Sequence, residues 1–96
     1  MSKSTVVIDA AGVASEDEFW ERYISATQPV AAGYFGCNLN AFWDAVEGGG
    51  PGYPGEVNLH FINVSAMETF PHGKVFLKAF RQIASESKFT KVTWED

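Results

Sequence analysis

Short β-branched runs and longer stretches with helical spacing alternate along this chain. Thr5-Val6-Val7-Ile8 is brief and β-branched, which predicts a buried strand. Ser15 followed by Glu18 has the form of a capping box, and Glu16, Asp17 and Glu18 suit the positive end of a helix dipole. Phe19, Tyr23 and Ile24 then give an i, i+4 apolar stripe, and the helix should end near Thr27, before Pro29. After a loop with Gly33 and Gly36, Asn38 reads as an N-cap. Leu39, Phe42, Trp43 and Val46 follow at i, i+3, i+4 and i+7, a core-facing stripe.

Gly48-Gly49-Gly50-Pro51-Gly52 must stop that helix, because glycine and proline both oppose its continuation. Val57, Leu59, Phe61 and Ile62 to Val64 predict a second, mostly buried strand. Ser65 with Glu68 predicts a capped short helix ending at Pro71. From about Gly73, Val75, Phe76, Ala79, Phe80 and Ile83 keep helical spacing to about Ser87, and Thr90 to Trp94 reads as a closing strand. The order β-α-α-β-α-α-β favours a small, mostly parallel sheet of three strands with right-handed crossovers and about four helices. A length of 96 residues argues a single domain over 1–96.

Composition narrows the function. Eight Phe, three Trp and three Tyr supply apolar mass for a packed core and argue against disorder. The 12 Asp+Glu against 7 Lys+Arg leave a net charge of −5, which disfavours nucleic acid and suits a basic partner. The charges are also unevenly placed. No Lys or Arg occurs between Arg22 and Lys74, whereas Asp44, Glu47, Glu56 and Glu68 all do. A lone cysteine, Cys37, excludes an internal disulfide or a Cys-based zinc site. The start, Met1-Ser2-Lys3-Ser4 followed by Val6-Val7-Ile8, is too short in its apolar part for a signal-peptide core or a membrane span. A reducing, cytoplasmic setting is expected, with no cofactor, metal, membrane or nucleic acid.

Asn40, Asp44 and Glu47 fall at i, i+4 and i+7 of the second helix and share an exposed ridge. Tyr34 and Phe35 precede it, next to Gly36, where two loop aromatics are hard to bury completely. An acidic ridge beside exposed aromatics has the anatomy of a protein-binding surface for a basic partner. A solvated helix face explains the spacing equally well, so spacing alone does not decide.

The run Tyr34-Phe35-Gly36-Cys37-Asn38-Leu39-Asn40-Ala41-Phe42-Trp43-Asp44-Ala45-Val46-Glu47-Gly48 resembles the central motif of the barstar family, intracellular inhibitors of the ribonuclease barnase. That motif is an aromatic pair, Gly, any residue, Asn-Leu, a polar residue, Ala, an apolar residue, Trp-Asp, then a helix ended by glycine. A looser match continues at Phe80-Arg81, and the element order agrees along nearly the whole chain. The resemblance implies a barstar-like α/β fold and an inhibitor, not an enzyme, that plugs the active site of a small secreted guanyl-specific ribonuclease. Its implied partner is a small basic microbial ribonuclease in a 1:1 complex.

The same resemblance implies the roles. Asp44 matches an aspartate that occupies the phosphate site, where a carboxylate can replace a phosphate as acceptor for guanidinium groups. Tyr34 matches an aromatic lying over the catalytic histidine. Gly36 and Asn38 match positions closing the guanine side of the cleft, and Trp43 matches one at the interface edge. Phe35, Leu39, Asn40, Glu47, Gly48 and Gln82 complete the implied contact surface. The chain also departs from the pattern. Asn40 and Gln82 stand where the family often has acids, and Gly49 stands where an aromatic can follow the helix-ending glycine. Two fewer acids argue for a different cognate ribonuclease or a weaker grip on barnase, with Glu47 and Glu56 as candidate compensation.

Other readings rest on single features. The Gly48–Gly55 segment lacks the Gly-Lys-Ser/Thr of a phosphate loop and contains Pro51 and Pro54, so it reads as a flexible connection. His60 and His72 have no second ligand at metal spacing. Cys37 at a helix start could have a lowered pKa, the basis of a thiol-dependent enzyme reading that still needs a base. Lys74, Lys78 and Arg81 form a basic ridge on the last helix, most simply solvated. Immunity against a different toxin nuclease is the main alternative function.

Overall fold

Strands β1 (Ser4–Asp9), β2 (Val57–Ile62) and β3 (Val92–Trp94) lie side by side in that order, all parallel. They belong to a computed structural model that describes residues 3–29 and 31–96. Met1 and Ser2, from the segment read for targeting, lie outside the described residues. Three helices, α1 (Glu16–Thr27), α2 (Leu39–Gly48) and α3 (Gly73–Glu86), make the connections. Two 3-10 segments, Ala32–Tyr34 and Val64–Thr69, complete them. This is the expected small α/β architecture, with a 3-10 segment in place of the fourth helix.

That segment corrects one expectation. Asn63, in the left-handed region at φ 57°, begins it, and no side chain caps it. Ser65 lies inside the segment, and its hydroxyl donates to the Asp96 carbonyl at 3.4 Å. Six residues in a tight 3-10 turn give no continuing α-helix for Ser65 to cap.

The strands alternate between buried and open positions, although the β-branched runs predict full burial. Ile8, Leu59, Phe61 and Val92 point into the core, whereas Val7 is half exposed and pairs with His60, which pairs with Thr93. A parallel sheet is normally covered on both faces. Here one face carries polar groups instead. The His60 ring meets Thr93 Oγ1 at 2.6 Å through Nδ1 and Glu95 Oε2 at 2.6 Å through Nε2, tying β2 to the chain after β3.

Helix boundaries follow local chemistry. Ser15 is extended, and its Oγ accepts from the Glu18 amide at 3.2 Å. Gln28 closes α1 in the left-handed region, its amide bonded to the Ile24 carbonyl at 2.8 Å. Phe19, Trp20 and Tyr23 of α1 are fully buried against Phe42, Phe61 and Phe80, with neighbouring rings in edge or stacked contact. On α3 the buried face is Phe76, Leu77, Phe80 and Ala84, while Val75 is 71% exposed. At about 100° per residue Val75 falls on the opposite side from Leu77 and Phe80, so it is not part of the core stripe.

Two contacts constrain the chain most tightly. A side chain at Gly73 would overlap the Met67 carbonyl, because α3 starts directly on the second 3-10 segment. Tyr23 Oη donates to the Gly52 carbonyl at 2.7 Å, and burial pushes the phenol pKa well above its ordinary value. Replacing Gly73 with Ala forces backbone apart and should lower stability by about 1–3 kcal/mol. Tyr23→Phe leaves a buried carbonyl without its donor, and a loss of about 1–3 kcal/mol is expected. Thermal unfolding checks both, since about 1 kcal/mol moves the midpoint of a domain this size by roughly 4–8 °C.

Candidate functional site

The loop before α2 is built from inside outward. Phe35 is only 6% exposed and packs on Trp20 and Tyr23 with centroids 5.5 and 5.6 Å away. Tyr34, its neighbour, is 85% exposed. The expectation that both aromatics stay out is therefore corrected for Phe35, which anchors the loop from behind. Its burial follows from the end of the first 3-10 segment, where the chain returns to extended backbone at Phe35.

Asn38 is extended and caps α2. Its Oδ1 accepts from the Ala41 amide at 2.8 Å, and its Nδ2 donates to the Gly36 carbonyl at 3.1 Å. A side chain on Gly36 would press on Ala41 and Asn38, each 3.2 Å from the added carbon. Gly36 and Asn38 thus shape the turn, whichever partner it meets.

Along α2, Phe42, Ala45 and Val46 are buried and Leu39 is half-buried. Trp43, predicted in the core stripe, is 38% exposed. One residue past Phe42 is a turn of about 100°, enough to carry it to the rim of the apolar arc. Asn40 and Asp44 are exposed on the next arc. Among the described residues no hydrogen bond or ion pair engages the Asp44 carboxylate, while its backbone carbonyl accepts from Gly49 and Gly50 as the helix ends. Glu47 is half-buried, and its carboxylate accepts from the Lys88 amide at 2.8 Å, so it is committed to the α3–β3 connection. Glu56 is exposed. Gly48 is the last helical residue, and Gly49 takes the left-handed cap at φ 71°.

The neighbouring helix adds residues the sequence reading did not select. A groove of about 390 Å³ runs between α2 and α3, lined by Leu39, Asn40 and Trp43 on one side and Ala79, Gln82, Ile83 and Glu86 on the other. Gln82, brought in by the motif, donates to Glu86 at 3.3 Å. Ala79 and Glu86 lie one turn either side of Gln82, a spacing visible in the sequence but without meaning until α3 is laid against α2.

Negative charge gathers around the loop. Burial pushes the Cys37 thiol up, and the nearby carboxylates of Asp17, Glu16 and Glu21 push it further. The expectation of a lowered pKa at the helix start is overturned, because a thiolate here is both desolvated and faced by acids. Cys37 is half-buried at φ 51°. The same finding places the first turns of α1 beside this loop, adding acids to those of α2.

The glycine segment is less free than its composition suggests. Gly52 is buried at φ 93°, and a side chain there would overlap the Phe35 ring. His72 starts α3 in the left-handed region, and Arg81 of the basic ridge pairs with Asp96. Among the described residues no helix is long and apolar enough to cross a membrane.

Comparison with curated proteins finds no match. A family model described as Barstar (barnase inhibitor) matches residues 3–93. The match runs from the start of β1 into β3 and includes the capped, glycine-ended α2. The chain belongs to the barstar family.

Proposed function

We propose that this protein works in the cytoplasm as a stoichiometric inhibitor of a small, cationic, guanyl-specific ribonuclease, which it blocks one-to-one with α2 and the preceding loop. Membership of the barstar family supports a barnase-type inhibitory role. The surface of α2 supports the way it is done.

The observation that carries this reading is the pairing of Asp44 with Tyr34. Asp44 presents an uncommitted carboxylate on a helix held by an N-cap, a glycine stop and a buried apolar face. Tyr34 presents an 85% exposed ring on a loop that Phe35 pins to the core. Preorganised groups lose little conformational freedom on docking. In the cleft of a cationic enzyme the carboxylate takes the place of an RNA phosphate and accepts from guanidinium groups. The Tyr34 ring covers the catalytic histidine, Gly36 and Asn38 close the base side, and Trp43 with the α2–α3 groove, Gln82 included, forms the edge.

Charge arrangement serves encounter. Residues 23–73 contain no Lys or Arg, so α2 and the loops on either side of it carry only negative charge. Glu47 contributes to that field, although its hydrogen bond to Lys88 restricts it as a direct partner for the enzyme. Asn40 and Gln82 contribute no charge, which makes the docking face less acidic than the family pattern.

Titration of secreted guanyl-specific ribonucleases with the purified protein should abolish RNA cleavage by one of them, with a sharp end point at one-to-one. Inhibition of none sinks the ribonuclease reading and turns attention to other toxin nucleases. Asp44→Ala should weaken inhibition by roughly tenfold to a hundredfold, chiefly through faster dissociation, since it leaves cations of the partner desolvated and unpaired. Association should slow steeply with salt as the screening length falls from about 30 Å at 0.01 M to about 3 Å at 1 M. Stopped-flow mixing at several ionic strengths reads this directly, and a flat dependence contradicts steering.

A further inference from the structure

Most aromatic residues of this protein are buried. Phe19, Trp20, Tyr23, Phe42, Phe61 and Phe80 are fully buried. The most exposed aromatics among the described residues are Tyr34 at 85%, Phe89 at 51% and Trp43 at 38%. Tyr34 and Trp43 belong to the docking face already described. Phe89 comes from the connection between α3 and β3, more than forty residues away in sequence, and no motif draws attention to it.

Its position is nevertheless set by α2. The residue before it, Lys88, donates its amide to Glu47 Oε2 at 2.8 Å. The residue after it, Thr90, donates its amide to the Val46 carbonyl at 2.9 Å. With both neighbours fastened to the last turn of α2, the Phe89 side chain is held beside the helix end. A side-chain carbon at Gly49 would lie 3.6 Å from Phe89 Cε2, and one at Gly50 would lie 3.6 Å from Asp44 Cβ. Gly49 thus lies against the Phe89 ring, and Gly50, the next residue, lies against the Asp44 side chain. Tyr53 backs the ring from the glycine segment, with centroids 5.5 Å apart and planes tilted by 36°. Neither residue belongs to the hydrophobic core.

We propose that Phe89, supported by Tyr53, is a partner-contacting and specificity-determining residue of the inhibitor, extending the docking face past the C-terminal end of α2. The occupant is the ribonuclease that docks on Asp44, with a cationic side chain from the rim of its cleft lying over the ring. Continuity carries this choice. The ring stands at the end of the helix that carries Asp44 and Glu47, and an aromatic face suits a guanidinium, which is weakly hydrated and stacks on rings. Burying a half-exposed ring on a fixed loop costs little ordering, because its backbone is already bonded on both sides. Tyr53 acts as a positioning residue, limiting the directions the Phe89 ring can take.

This inference rests on the docking role of α2, and the test separates the two. The ribonuclease inhibited most strongly in the titration is assayed against the parent chain, Asp44→Ala, Phe89→Ala and Phe89→Lys, with dissociation rates measured at low and high salt. Phe89→Ala should bind about tenfold more weakly. The faster dissociation should persist at high salt, because a ring contact acts at short range. Phe89→Lys places a cation against a cationic enzyme and should lose more than Ala. Melting temperature should not move for either variant, since the ring lies outside the core. Wild-type inhibition by both Phe89 variants, with Asp44→Ala weakened, overturns the Phe89 role and leaves the α2 reading standing. Inhibition of no ribonuclease by the parent chain overturns both. A loss that matches a fall in folded fraction at the assay temperature, read by circular dichroism, also overturns it, because Phe89 would then act through the fold.

Discussion

Tyr23 is the residue on which the geometry of α2 depends. Its ring packs against Phe35, which begins the loop entering α2, and its hydroxyl donates to the carbonyl of Gly52, in the segment leaving α2. Phe35 in turn fills the space that a side chain at Gly52 would need. A single buried phenol thus holds both ends of the α2 excursion against α1. The helix between them carries Phe42, Ala45 and Val46 into the core and has only its outer face left to present. Rigidity of that face is a by-product of packing, since buried side chains at this density have few alternative arrangements.

The outer face combines two kinds of group that seldom share a surface without a reason. Carboxylates raise encounter rates with a cationic partner but discriminate poorly among such partners. Exposed aromatics add short-range complementarity. Tyr34, Trp43 and Phe89 are exposed on the segment before α2, on α2 itself and on the connection bonded to its last turn. The acids of α1 also act on the segment before α2, where Asp17, Glu16 and Glu21 add to burial in raising the Cys37 pKa.

Much of this was legible in local sequence. Caps at Ser15 and Asn38, the glycine stop after Glu47 and the alternation of strands and helices all act within a few residues, and the structure has them where short-range chemistry puts them. The departures share one cause. Phe35 and Trp43 are both aromatic and lie only eight positions apart, yet one is buried and the other is not, because each is judged against neighbours that sequence does not reveal. Val75 looked apolar enough for the core and faces outward. Ser65 and Glu68 had the spacing of a cap but sit on a 3-10 turn, whose tighter winding changes which groups meet.

By itself, then, the sequence determined the element order, the capped and glycine-ended α2, the cation-free middle and, through its motif, the family. Each of these is a property of spacing or composition, set by interactions along the chain. Only the tertiary structure decided that the parallel sheet keeps one open face, that Glu47 is spoken for by Lys88, and that Phe89 lies beside the C-terminal end of α2. Those outcomes depend on segments far apart in sequence being brought together, and no local pattern encodes the distance between them until the core has closed.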